Sequence, residues 1–197
     1  MKTLAFDLST RRGTMACADG DEILREENWT NDRRSVAHFF EALQRFVSDF
    51  GSPQRVVVGL GPGSYTGTRI AISAALGLRA ATGAEVCGAS SLLAFADDEE
   101  YAVIGDAKRA SCFFAHIRRG KLVADILLLS ETEMSARMRT TDSAIYSADE
   151  LPDFAGVAQA YPRASLLIAA ETAPFAPGET ISPIYLREPH ITVPRAR

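Results

Sequence analysis

The run from Val56 to Ile70 constrains this chain more than any other, because it reads in immediate succession as a buried strand, a glycine-rich turn and the start of a helix. Three consecutive β-branched valines suit a strand covered on both faces, since there is no polar alternation to give it a solvent side. Gly59, Gly61, Gly63 and Gly67 then admit backbone angles or close approaches that a Cβ would block. Pro62 fixes one φ, and Ser64 or Thr66 can offer an oxygen to the free amides that open the next helix. A glycine-rich loop before a helix N-terminus is also the usual phosphate cradle. The spacing fits neither common version: Gly63 to Thr68 contains no Lys, as a P-loop requires, and the dinucleotide fingerprint has other glycine intervals after the first strand of its unit. Gly61, Pro62, Gly63, Ser64, Tyr65, Thr66 and Gly67 are therefore read as a structural turn, with phosphate binding as the alternative.

On the N-terminal side of this run, Lys2 to Leu8, Thr14 to Ala18 and Ile23 to Trp29 read as three strands joined at Arg11-Arg12-Gly13 and Asp19-Gly20-Asp21. Asp-Gly is a strong hairpin signal, so the three are expected to be antiparallel. From Ser35 to Phe50 the period changes. Val36, Phe39, Phe40, Leu43, Phe46, Val47 and Phe50 fall on one stripe of an amphipathic helix, which Gly51-Ser52-Pro53 ends. The central strand follows, then a helix over Thr66 to Gly83, a strand over Glu85 to Gly88 and a short helix over Ser91 to Ala96.

The acidic run Asp97-Asp98-Glu99-Glu100 marks the expected boundary between an N-terminal lobe, 1–98, and a shorter C-terminal lobe, 99–197. Beyond it the order begins again. Tyr101 to Asp106, Cys112 to Arg118 and Lys121 to Leu129 predict three strands, Glu131 to Met138 a helix, Ala144 to Ser147 a strand and Tyr161 to Thr172 a last helix. Such an echo predicts an α/β fold built from a duplicated βββαβα unit, its second copy reduced.

Composition excludes several function classes. The net charge of −4 argues against a self-sufficient nucleic-acid surface, which needs a basic patch to neutralise phosphates. The three cysteines, Cys17, Cys87 and Cys112, have no Cys-x-x-Cys spacing, so neither a disulfide framework nor a cysteine zinc site is predicted, and a reducing cytoplasm fits. The apolar run at the N-terminus stops at Asp7, and no stretch reaches the ~20 apolar residues of a membrane span, so no membrane association is expected.

Candidate chemistry begins with Asp7, at the end of the first strand, and with Ser9 and Thr10 in the turn after it. In a two-lobed nucleotide-binding fold these would face the interlobe cleft, Asp7 holding a hydrated magnesium ion and Ser9 or Thr10 a phosphate. The preferred reading is that Asp7 caps its own turn, as Asp routinely does, and that Asp106, followed by Lys108 at the corresponding place in the second unit, does the same. His38, His116 and His190 show no i, i+4 pair of metal ligands, so no metal site is predicted. Ser64 lies in Gly-x-Ser-x-x-Gly rather than a nucleophile elbow, and no catalytic constellation is visible.

The second helix is apolar on two faces. Gly67, Ala71, Ala74, Ala75, Leu78 and Ala81 make a small-residue face that can lie close to a sheet. Ile72 and Leu76 are expected to point outward, flanked by Arg69, Ser73, Arg79 and Ala80, toward either the first helix or a helix from a partner.

Gly61-Pro62-Gly63-Ser64-Tyr65-Thr66-Gly67-Thr68-Arg69-Ile70 resembles the signature of the bacterial TsaB family, also called YeaZ, and Leu4-Ala5-Phe6-Asp7-Leu8-Ser9-Thr10 looks like its opening strand. Gly88-Ala89-Ser90-Ser91-Leu92, Ile104-Gly105-Asp106-Ala107-Lys108-Arg109 and Pro183-Ile184-Tyr185-Leu186-Arg187 match it too. The resemblance implies a two-lobed actin/hexokinase/Hsp70-like (ASKHA, ribonuclease H-like) fold. It further implies a non-catalytic cytoplasmic subunit that partners a TsaD-like catalytic subunit and a TsaE-like ATPase in threonylcarbamoylation of the tRNA adenosine next to the anticodon. On that reading the outward strip of the second helix joins a helical bundle with the catalytic subunit. No cofactor is required, ATP or ADP is admitted at an interface shared with the partner, tRNA is met only through the complex, and a homodimer is admitted when the chain is alone. Where relatives carry His followed by Ser or Thr before the first helix, this chain has Arg34-Ser35. The rival reading is a small-molecule kinase or nucleotide hydrolase of the same fold, with Asp7 and Ser9 near phosphate and Asp106 as base.

Overall fold

Side chains alternate across a strand, and along β1 (Lys2–Asp7) Leu4 and Phe6 enter one apolar cluster while Ala5 enters another. That alternation sets the layers of the protein. The computed structural model describes residues 1–31, 35–170, 172–176 and 178–187. Arg34 and His190 lie outside the described residues.

β1 pairs antiparallel with β2 (Arg12–Asp19), which pairs antiparallel with β3 (Glu22–Thr30). α1 (Ser35–Phe50) carries the chain back to β4 (Arg55–Gly59), parallel to β1, and α2 (Tyr65–Thr82) carries it to β5 (Glu85–Ala89), parallel to β4. A 3-10 turn at Ser91–Ala94 leads to the second lobe. There β6 (Glu100–Asp106) and β7 (Cys112–Arg118) are antiparallel, β8 (Lys121–Leu122) and β9 (Leu127–Leu129) both pair with β7, and α3 (Glu131–Arg139) returns to β10 (Ala144–Ser147), parallel to β6. β11 (Val157–Gln159) lies parallel to β10. Leaving aside β12 (Ala173–Pro174), the sheet orders are β5-β4-β1-β2-β3 and β11-β10-β6-β7-β8, the same path walked twice. The duplicated two-lobed α/β architecture, with a reduced second copy, is present.

One face of the first sheet meets α1 and α2 through Leu4, Phe6, Val56, Val58, Phe39, Phe46, Ala71 and Ile72. The other face, Ala5, Ala16, Val57 and Cys87, is covered by Ala94 and by α4 (Ala164–Ala169), whose Leu167 is fully buried. α4 thus packs on the first sheet although it follows the second lobe in sequence, and β12 pairs antiparallel with β5. Among the described residues, α4 and β12 therefore return to the first lobe, unlike the division by sequence order at residue 98. The physical reason is that α1 and α2 cover only one face of a sheet that is apolar on both. In the second sheet α3 covers Ala102, Ile104 and Phe114 through Met134, while Tyr101, Val103 and Ile117 face Leu92 and Phe95.

Three expectations differ in detail. Lys121 to Leu129 is not one strand, because Leu122 pairs with Ile117 and Leu127 with Phe114, so four residues bulge out opposite two. The last helix is shorter than Tyr161 to Thr172, starting only after Pro162 and Arg163 and ending where Ala170 turns extended (ψ 154°). β11 and β12, too short to show a period, were not expected.

Candidate functional site

Because β1 and β4 run parallel, with Phe6 opposite Val58, their carboxyl ends bring the turn after β1 and the glycine turn side by side. The glycines make that approach feasible. A Cβ on Gly63 would overlap the Ser9 carbonyl oxygen and sit 2.9 Å from its carbon, and one on Gly67 would overlap the carbonyl oxygen of Leu8. In the space so gained the Ser64 amide donates to the Ser9 carbonyl at 2.6 Å, and the Ser64 hydroxyl accepts from the Gly67 amide at 3.1 Å to cap α2. Glycine here serves contact between two backbones. Gly61 adds a left-handed turn at φ 86°.

Asp7 lies beneath this junction and is completely buried. Its Oδ1 accepts from the Ser9 amide at 2.7 Å and the Ser9 hydroxyl at 2.6 Å, and its Oδ2 accepts from the Ser91 hydroxyl. Burial pushes its pKa up, against the lowering effect of those hydrogen bonds, so the proton is held more tightly than on an ordinary carboxyl. Gly59 is required beside it, since a Cβ there would overlap Oδ2.

The two lobes enclose a cleft of about 620 Å³. Ser9, Thr10, Gly63 and Tyr65 line it from the first lobe, Asp106, Lys108 and Asp149 from the second, and Ile184 to Arg187 form a third wall. The candidate phosphate residues are thus divided: Ser9 and Thr10 reach the cleft, whereas Asp7 is not among its lining residues. The Thr10 hydroxyl is engaged in its own turn, donating to the Arg12 carbonyl at 2.9 Å. Asp106 binds the Lys108 amide and ammonium, each at 2.6 Å, and the Lys108 side chain is the first cause of its lowered pKa. Arg11 and Glu150 pair across the lobes at 3.1 Å. Among the described residues, no three of His, Cys, Asp and Glu gather as a metal cluster.

The second candidate surface is the outer side of α1 and α2. Thr68, Ala71, Ile72 and Ala75 recur at helical spacing and are buried, so the outward strip runs instead through Thr66, Arg69, Ile70, Ser73, Gly77 and Ala80. Ile72, expected on the outward side, is only 5% exposed and belongs to the core, because it lies one turn from Thr68 and Ala75 on the sheet-facing side. Leu76 is half-buried against the same core. Arg69, Ser73 and Ala80 are exposed, while half-buried Arg79 reaches the Phe175 carbonyl at 3.4 Å. The Arg69 guanidinium lies 4.1 Å from the centroid of Tyr65 and donates through Nε to the Tyr185 hydroxyl at 3.1 Å.

Phe40 and Val36, assigned by periodicity to the buried stripe of α1, are 48% and 45% exposed. Phe40, Tyr65, Thr66, Arg69, Ile70 and Ser73 line one shallow groove. Sequence reading missed Phe40 and Val36 as surface residues. The available signal was the breadth of the α1 stripe, wider than one sheet face can cover.

Three comparisons complete the description. The family model of TsaD, tRNA N6-adenosine threonylcarbamoyltransferase, matches residues 35–142, more than half of the chain. No curated protein matches it. Among solved structures, an uncharacterized protein with similarity to peptidase YeaZ from Pseudomonas aeruginosa superposes with a TM-score of 0.75 at 19% identity, covering 94% of this chain and 99% of that one. YeaZ from Pseudomonas aeruginosa superposes with a TM-score of 0.69 at 18% identity, over 85% of this chain and 89% of its own.

Proposed function

The chain belongs to the TsaD family and has the fold of YeaZ, and from that premise we propose that it is a TsaB-type, non-catalytic subunit that docks on a TsaD-like catalytic subunit for threonylcarbamoylation of a tRNA adenosine next to the anticodon. The observation that carries the reading is the groove on α1 and α2. Phe40 and Tyr65 offer aromatic area at 48% exposure each, Ile70 and Ser73 continue the surface, and Arg69 edges it with charge. Aromatic side chains set beside small residues and an arginine are the composition of a binding hot spot, and small residues allow a partner helix to come close. The outward strip of α2 accordingly includes Arg69, Ser73 and Ala80, with Leu76 and Arg79 at its inner border.

In this proposal the complex supplies what the chain lacks. The net charge of −4 leaves tRNA contact to the partner, a TsaE-like ATPase joins the assembly, and ATP or ADP is admitted where the subunits meet. Without its partner the same face would pair with a second copy. The peptidase label of the structural relative is not carried over.

Titration of a TsaD-like subunit with the wild type and with Ser73→Glu tests the reading. A buried carboxylate on a small-residue face is expected to weaken binding at least tenfold, about 1.4 kcal/mol, with the melting temperature of the isolated variant unchanged. Unchanged affinity would remove this face as the interface. Leu76→Glu is a poorer probe, since Leu76 also packs on the core. The kinase or nucleotide hydrolase reading draws on the interlobe cleft. It calls for a carboxylate near phosphate at Asp7, which is buried and bonded to Ser9 and Ser91, and ATP turnover by the pure chain would favour it.

A further inference from the structure

Residues 182–187 cross from one lobe to the other outside either sheet. Ile181 is buried in the first-lobe core, and the Ile184 amide donates to the Leu60 carbonyl at 2.8 Å, so the segment leaves the first lobe beside the glycine turn. Tyr185 then stacks on Tyr65 with ring centroids 5.6 Å apart and accepts a hydrogen bond from Arg69. Leu186, next in sequence, packs on the inner apolar cluster of the second lobe. Arg187 donates through Nη2 to the Ser111 hydroxyl, which itself donates to the Lys108 carbonyl at 2.9 Å. Consecutive side chains of one segment therefore hold the start of α2 and the loop Ala107–Ser111.

Several observations indicate that this connection is held by contacts that can be released. It contributes no strand to a sheet, so opening it breaks no ladder. Arg187 Nε is buried with no hydrogen-bond partner among the described residues, so at this end the guanidinium is held through Nη2 on Ser111. The loop it grips places three non-glycine residues, Lys108, Arg109 and Ala110, at φ of 62°, 55° and 54°, a region that disfavours side chains. Ile184 to Arg187 also form a wall of the cleft, so movement of the segment changes the width of that space.

We propose that Ser182–Arg187 is a strap coupling the docking end of α2 to the second-lobe loop Ala107–Ser111, so that partner binding at α2 sets the closure of the interlobe cleft. The coupling to a partner rests on the docking proposed above, whereas the strap itself does not. Amide hydrogen exchange on the isolated full chain tests the strap first. Tyr185→Ala, at the α2 end, is expected to speed exchange at residues 107–111 several-fold while the strands of the first sheet keep their rates. Ser111→Ala, at the other end, is expected to speed exchange at residues 63–67.

Unchanged rates at the far end in both variants would overturn the strap. If Tyr185→Ala instead accelerates exchange throughout the first lobe, Ser111→Ala decides alone, because it removes one half-buried hydroxyl and no core contact. Addition of a TsaD-like subunit to the wild type is then expected to slow exchange at 107–111, and Tyr185→Ala should bind yet lose that slowing. Binding without any change at 107–111 would overturn the coupling. Absence of binding to the wild type would sink the docking proposal and the coupling with it, leaving the isolated-chain measurement to judge the strap.

Discussion

Asp7 shows how two uses of one residue stay open when only its neighbours in sequence are known. A carboxylate at the end of a first strand, followed by Ser9 and Thr10, has the residue types for a cation and phosphate, and the same pattern serves an Asp that caps its own turn. The structure has Ser9 bonded to Oδ1, as capping requires, but also Ser91 bonded to Oδ2 from 84 positions away, which no local pattern contains. Burial holds the folded-state pKa above the unfolded value, so the folded chain binds this proton more tightly. The associated cost is absent below about 3.8, grows as pH rises through that value and levels off only above the raised folded pKa. Asp7→Asn keeps an oxygen acceptor for Ser9 and cannot ionise. Its stability relative to the wild type is therefore expected to increase as the pH is raised from about 3 to about 7, measured by urea unfolding across that range. A difference independent of pH would mean that Asp7 ionises as freely in the folded chain as in the unfolded one.

At the scale of elements, helix existence was legible and helix facing was less so. α1 spans the predicted Ser35–Phe50, and α2 begins and ends one residue before the expected Thr66 and Gly83, because the Ser64 cap and the left-handed Gly83 (φ 74°) are local signals. Ile72 and Phe40 fell on the wrong sides because both helices carry more apolar residues than one sheet face buries, and periodicity does not say which of them the sheet takes. Gly77 offers an experiment on the outward strip. It is in the middle of α2, and a Cβ added there meets nothing within 4 Å. Gly77→Ala is expected to stabilise the isolated chain by roughly 0.5–1 kcal/mol, since alanine loses less backbone entropy in a helix. If a partner helix comes close on that strip, the same variant should bind a TsaD-like subunit more weakly. Denaturation of the isolated chain and titration of the subunit read these effects separately, and a stabilised variant with unaltered affinity would place the close approach elsewhere on α2.

For the molecule as a whole, the two lobes depend on each other through the chain that returns after the second sheet. Leu167 of α4 is fully buried among Ala5, Ala16 and Val57, so Leu167→Ala is expected to destabilise the protein by about 2–5 kcal/mol. Exchange should then accelerate in β1 and β4 of the first lobe, although the substitution lies in the second half of the chain; faster exchange confined to the second sheet would contradict the packing described. The duplicated order of strands and helices, the central valine strand, the glycine turn and the caps were determined by the sequence alone, because period, turn chemistry and capping act over a few residues. Only the tertiary structure decided that α4 covers the first sheet, that Ser91 satisfies Asp7, that Val36 and Phe40 stay in solvent and that Tyr185 meets Tyr65. Each of those depends on which of several apolar or polar surfaces is still uncovered once the sheets have formed, and that is a property of the assembled layers.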